Sequence, residues 1–168
     1  AEELAQRYPL RIAAQAAPGA AVLEQPGTPA FQRWFGDSKV VDADGKPLVV
    51  YHGTGNDFST FMPSDGGEYG AGIYLTPDAK GASDYARYRG RIAPNVMPVY
   101  VSIKNPAGPA EAANIGSWRG EEAIRAELIR RGYDGIIDKF SGQIVAFNPE
   151  QIKSATGNRG TYDPADPS

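Results

Sequence analysis

Apolar positions along this 168-residue chain fall into short runs whose period changes from segment to segment. Leu4, Leu10 and Ile12, among several alanines, make a weak helical stripe and predict a short helix over residues 1–15. Pro18, Gly19, Pro26, Gly27 and Pro29 crowd residues 16–30, which marks a linker and the best candidate boundary. Phe31, Trp34 and Phe35 recur at i, i+3 and i+4, one face of a short helix ended by Gly36. Residues 40–41 and 48–51 flank a turn-rich stretch, Asp42 to Pro47, and predict a hairpin with Gly45 in its turn. Further strands are predicted at 73–76, 98–103, 134–137 and 144–147. Helices are predicted at 77–88, with Pro77 at the first position, and at 121–131, where Ile124 and Leu128 form an apolar face with Ile129 beside it and Gly132 ends the run. Residues 149–155 read as a turn or short helix, and 156–168 as irregular. Short strands among isolated helices, without regular strand–helix alternation or repeats, predict an α+β fold with mostly antiparallel sheets. The organisation expected is an N-terminal helix and linker over 1–30, then one compact domain over 31–168.

Composition narrows the chemistry. Hydrophobic residues make up 41% and charged residues 22%, a soluble globular balance. A chain of this length buries roughly 70% of its unfolded surface and needs no covalent staple. Cysteine is absent, which excludes disulfides, thiol catalysis and cysteine-ligated zinc, and the single histidine excludes multi-histidine metal sites. No apolar run reaches membrane-spanning length and no signal-peptide pattern opens the chain, so no membrane or metal partner is expected. The net charge of −3, from 20 acidic and 17 basic residues, leaves no footprint for tight non-specific nucleic-acid binding. Ala1 in place of methionine suggests a piece of something longer.

Four clusters carry candidate chemistry. His52 ends an apolar strand directly before Gly53 and Thr54, and a strand end beside a permissive glycine suits a cleft where backbone approaches a ligand. Read alone, His52 is a structural histidine. The Gly70-Ala-Gly72 loop before Tyr74 lacks the lysine and spacing of a phosphate loop. Tyr85 lies eleven positions after Tyr74, and Arg87, Arg89 and Arg91 read first as a solvated face. Finally, Gln143 heads the strand that continues Ile144-Val-Ala-Phe147, where alternation puts Gln143, Val145 and Phe147 on one face and Ile144 and Ala146 on the other.

Taken in order, these clusters resemble the ADP-ribosyltransferase fold. The nearer match is the diphtheria-toxin and poly-ADP-ribose-polymerase branch, whose signature is His, Tyr and Glu on three strands. The blocks starting at Trp34, Val50, Asp134 and Asn148 are similar to the transferase domains of bacterial, phage and mobile-element polyvalent proteins, and the resemblance spans 31–167. It implies a split core of two mostly antiparallel sheets with flanking helices, and NAD as co-substrate. It further implies that His52 meets the adenosine-side ribose, that Gly53, with Thr54 beside it, holds the nicotinamide carboxamide, and that Tyr74 and Tyr85 stack on the nicotinamide ring.

At the third signature position the family has a catalytic glutamate and this chain has Gln143, either a natural variant or an inactivating substitution. Glutamine keeps the hydrogen bonds and loses the charge. Glu68 and Glu150 are carboxylates nearby in the sequence that could substitute, but neither matches the motif. Ser141 stands where arginine-modifying members of the other branch carry Glu or Gln, which argues against arginine as acceptor. The function implied is an NAD-dependent mono-ADP-ribosyltransferase, a bacterial or phage effector or toxin domain acting on a macromolecule, protein or nucleic acid, in the cytoplasm of a target or host cell, with an immunity protein as a further partner. The alternatives are an inert NAD-binding or interaction module on the same fold, or an NAD glycohydrolase.

Overall fold

The computed structural model describes residues 11–12, 25–54, 61–64, 66–89, 95–116 and 120–156. The expected helix over 1–15 lies outside these residues except at Arg11–Ile12, which form a strand, β1, instead. Residues 16–24 of the expected linker and 157–168 of the tail lie outside as well.

Local rules account for most elements. Helix α1 (Pro29–Phe35) starts where the Thr28 hydroxyl accepts from Phe31 N at 3.1 Å, buries Phe31 and Phe35, and stops at Gly36 with φ +53°. Asp42 Oδ1 accepts from the backbone N–H of Asp44 and Lys46, both at 2.9 Å, and shapes the expected turn, closed by a single bridge between Val41 and Pro47. Strands β2 (Val50–Thr54) and β3 (Ile73–Leu75) follow. Helix α2 (Ala79–Arg89) begins later than expected, because Asp78, rather than the chain before Pro77, caps it: its carboxylate accepts from Lys80 N and Gly81 N, both at 3.0 Å. Strand β4 (Asn95–Val101) begins three residues before the expected start. Strand β5 (Pro106–Ala107) and helix α3 (Pro109–Ile115) form where no element was expected, since α3 offers only Ala112 and Ile115 to the core and shows no sustained period. Helix α4 (Glu121–Arg130) buries Ile124 and Leu128 as the pattern predicts and leaves Ile129 exposed. Strands β6 (Gly135–Ile137) and β7 (Ile144–Ala146) form a hairpin, and the expected turn at 149–155 is a 3-10 turn (Pro149–Gln151) leading into strand β8 (Ile152–Ser154).

The strands make two sheets in a mostly antiparallel α+β arrangement. In the first, β4 pairs antiparallel with β2 and β8 and parallel with β1; in the second the order is β3-β7-β6-β5, with only β5 and β6 parallel. Strand parity builds the core between them. Val50, Val99 and Val101 from the first sheet meet Ile73, Leu75, Ile144 and Ala146 from the second. Alternate residues of the second sheet, Ile136, Val145 and Phe147, turn to the opposite side and pack on α3 and α4. Thus Val145 and Phe147 share one face and Ile144 and Ala146 the other, as alternation requires. On the far side of the first sheet, Ala82 and Ala86 of α2 pack against Val96 and Tyr51. Among the described residues, no helix is long and apolar enough to cross a membrane.

Candidate functional site

The two sheets meet edge to edge at one point. Tyr51 N donates to Thr76 O at 2.7 Å and Thr76 N donates to Tyr51 O at 3.0 Å. In a strand, N–H and C=O groups of alternate residues point to the same edge, so Gly53 directs both of its backbone groups to this edge, away from β4, two residues past the bridge. A cleft of about 260 Å³ opens here between the sheets, α2 and the β6–β7 turn. Its lining includes Gly53, Tyr74, Tyr85, Ser141, Gln143 and Glu68.

Four of the six residues singled out in the sequence therefore share one cleft: Gly53, Tyr74, Tyr85 and Gln143. Tyr85 reaches it from α2, one turn beyond Ala82, and remains 44% exposed, so its ring is presented rather than buried. His52 and Thr54 are not part of the lining, because alternation along β2 turns Tyr51 and Gly53 toward α2 and Val50 and His52 toward the inter-sheet side. The His52 ring meets Phe61 edge-on at 5.4 Å, and its Nδ1 lies 2.8 Å from Tyr74 O. A carbonyl can only accept, so Nδ1 carries the proton and Nε2 is the acceptor in this tautomer. Burial holds the His52 pKa below its ordinary value, the bond to Tyr74 opposing this, so the neutral ring is favoured. His52 fastens the backbone of the strand that carries Tyr74. Thr54 ends β2 opposite Asn95.

The glycine at 53 has a reason that its sequence context did not show. A Cβ there would overlap the Ala82 carbonyl oxygen, so its absence lets α2 lie close against β2 and brings Tyr85 over the cleft.

Two loops complete the site and are braced to one another. The Tyr74 hydroxyl donates to Gly70 O at 2.6 Å and accepts from Tyr69 N at 3.0 Å, clamping the loop 66–70. Tyr69 Oη then donates to Asp138 Oδ2 at 2.8 Å. Asp138 is buried and also accepts from Ser141 Oγ at 2.5 Å and Phe140 N at 2.9 Å, which shapes the turn between β6 and β7. Asp138 N donates to Gln143 O at 2.9 Å, so the same turn delivers Gln143 to the cleft. Phe140 stands fully exposed at its tip. The Gln143 Oε1 atom is buried and accepts no hydrogen bond. Burial pushes both tyrosine hydroxyls up to about 12, so they stay protonated donors at neutral pH.

The hydrogen bond from Ser141, then those from Phe140 N and Tyr69, pull the Asp138 carboxyl down from 3.8 to about 2. A carboxylate depressed on folding stabilises the fold above its unfolded value, and that contribution disappears as pH falls through the folded value. Stability is therefore expected to drop between about pH 3.8 and 2, and Asp138→Asn, which cannot titrate, should flatten this limb. Thermal melts across that window check it; an identical limb in the variant would detach Asp138 from acid unfolding.

Of the two acids that could substitute at the site, Glu68 lines the cleft. Glu150 does not: its carbonyl accepts from Trp34 Nε1 at 2.9 Å, beside α1. Arg87 is exposed and 3.9 Å from Asp84, the side chain of Arg89 is not described, and Arg91 lies outside the described residues. The Tyr69–Asp138–Ser141 brace had no sequence signal, since Tyr69 and Asp138 are 69 positions apart. Among the described residues, no group of three or more acidic or histidine side chains could hold a metal ion.

Compared with known proteins, residues 42–162 match a family model described as ADP-ribosyltransferase in polyvalent proteins. No curated protein and no solved structure matches the chain.

Proposed function

Since the chain belongs to the ADP-ribosyltransferases of polyvalent proteins, we propose that its cleft binds NAD as co-substrate, breaks the nicotinamide–ribose bond and passes ADP-ribose to a macromolecule. The observation that carries this reading is the buried Gln143 Oε1, an acceptor with no partner, in the same cleft as two tyrosine rings. An unpaired buried acceptor costs about 1–3 kcal/mol, so it favours a ligand that brings a donor, such as a ribose hydroxyl.

The remaining groups suit the nicotinamide end of NAD. Tyr74 and Tyr85 offer stiff aromatic faces to the ring. The strand edge at Gly53 offers an N–H and a C=O, the complement of a carboxamide. The cavity is just below the usual range for small-molecule sites, which fits the nicotinamide riboside half with the adenosine half along the mouth. The family's role for His52, a contact to the adenosine-side ribose with Thr54 beside it, would need the ring to turn from the inter-sheet side, where it meets Phe61 and Tyr74 O. As the C1′–N bond breaks, its electron pair leaves with nicotinamide and positive charge develops on the ribose. Gln143 can orient that ribose but cannot neutralise its charge, which predicts a slow enzyme. The domain is read with this as a mono-ADP-ribosyltransferase effector or toxin of bacterial or phage origin, acting in the cytoplasm of a target or host cell, with an immunity protein protecting its producer.

Incubation with labelled NAD, with and without a macromolecular extract, tests the reading. Labelling of a protein or nucleic acid supports transfer. Nicotinamide release without an acceptor indicates a glycohydrolase, and NAD binding with neither reaction indicates an inert module. Tyr74→Ala should weaken NAD binding by at least the roughly 0.5–1.5 kcal/mol that an aromatic pair contributes beyond buried area. Calorimetry that finds equal affinity would remove Tyr74 from the binding site.

A further inference from the structure

A cleft in which the ribose becomes cationic as its bond to nicotinamide breaks gains from a nearby negative charge, and Gln143 supplies none. Glu68 is the one carboxylate among the residues that line this cleft. Its position follows from its neighbours. A Cβ on Gly66 would overlap the Glu121 carboxylate, and one on Gly67 would overlap the Tyr74 hydroxyl, so the loop lies flat on both. Gly70 N closes the turn by donating to Gly67 O at 3.1 Å, and the Tyr74 hydroxyl grips the turn on either side of Tyr69. Tyr69 itself is tied to Asp138. Glu68 is thereby held at the rim of the cleft, in the turn that Tyr74 clamps, and the same Asp138 carboxylate accepts from Ser141, two residues before Gln143. One brace thus sets the spacing between the acid and the amide.

Resting on the transferase reading above, we propose that Glu68 is a catalytic residue: its carboxylate faces the developing ribose cation and supplies the charge that Gln143 lacks. The C1′–N bond breaks and its electron pair leaves on neutral nicotinamide. Water or the macromolecular acceptor then forms the new bond at C1′ and gives up one proton to solvent, and Glu68 is unchanged at the end. Because Glu68 is exposed, solvent weakens its field, and it contributes less than a carboxylate at position 143 would.

The test uses the whole chain, NAD as the probe, calorimetry for binding and nicotinamide release for rate. Glu68→Gln should lower release by about tenfold or more, below the 10²–10³ range of a directly bonded group, while NAD affinity is unchanged. Glu68→Asp should keep more of the rate than Glu68→Gln. In a Gln143→Glu background, Glu68→Gln should have much less effect, because the nearer charge takes over. Release by Glu68→Gln at the parent rate overturns the proposal, as does a loss confined to NAD affinity or to labelling of an acceptor. A parent chain that binds NAD and releases no nicotinamide overturns it too. Failure of the parent chain to bind NAD is a different result: it removes the transferase reading, and this proposal with it.

Discussion

Replacing Gln143 by glutamate is expected to raise nicotinamide release by about two to three orders of magnitude, equivalent to the roughly 3–4 kcal/mol of a matched electrostatic group. The position is prepared for such a group. Its backbone carbonyl is held by Asp138 N at 2.9 Å, its own N–H donates to Ser141 Oγ at 3.2 Å, and its Oε1 is buried without a partner. The side chain therefore carries an unsatisfied acceptor that a small side-chain rotation offers to a ribose hydroxyl, and a carboxylate there would face the cation at short range in a partly dry cleft. The neighbouring Asp138 charge does not oppose this strongly, because Ser141, Phe140 N and Tyr69 all donate to it. Gln143→Ala should be no more active than the parent chain, and toxicity on bacterial expression should rise with Gln143→Glu. A glutamate variant that folds, binds NAD and releases nicotinamide no faster would remove position 143 from the reacting centre.

Gly53→Ala is expected to destabilise the fold by about 3 kcal/mol, the upper part of the range for overpacking, lowering the melting temperature by about 6–12 °C for a chain of this size. Gly53 lies in an extended strand, so backbone strain contributes nothing. The effect is steric: the new methyl would overlap the Ala82 carbonyl oxygen, with the Ala82 carbonyl carbon at 2.9 Å. Relief requires α2 to move off β2, which carries Tyr85 away from the cleft and opens the packing of Ala82, Ala86 and Val96. NAD affinity should fall together with stability. A thermal melt and a binding isotherm at parent values would show that α2 tolerates the displacement and that the close approach at Gly53 is dispensable.

The difference between what was legible in the chain and what was not follows the range of the forces involved. Helices α1 and α4 were readable because Phe31 and Phe35, or Ile124 and Leu128, repeat at helical spacing and each helix hides one face. The alternating sides of β7 were readable because period two is a property of the extended backbone, whatever packs on it. Four of the six site residues were legible through short motifs at strand ends and along one helix. The direction of the His52 ring was not. Val50 and Tyr51 are both apolar, since one faces the inter-sheet core and the other faces α2, so hydropathy along β2 does not say which side is the cleft. Strands β1, β5 and β8 are two or three residues long and exist as strands only because β4 or β6 lies alongside to take their hydrogen bonds. Gly53 looked like a ligand-facing glycine, and only the placement of Ala82 shows that helix packing demands it. Glu68 and Glu150 were equal candidates in the sequence, and only the Tyr74 clamp and the Tyr69–Asp138 bond set Glu68 on the rim of the cleft while Glu150 lies beside α1. Short-range stereochemistry wrote the elements into local sequence, whereas the site depends on contacts between segments far apart in the chain, which only the packed sheets bring together.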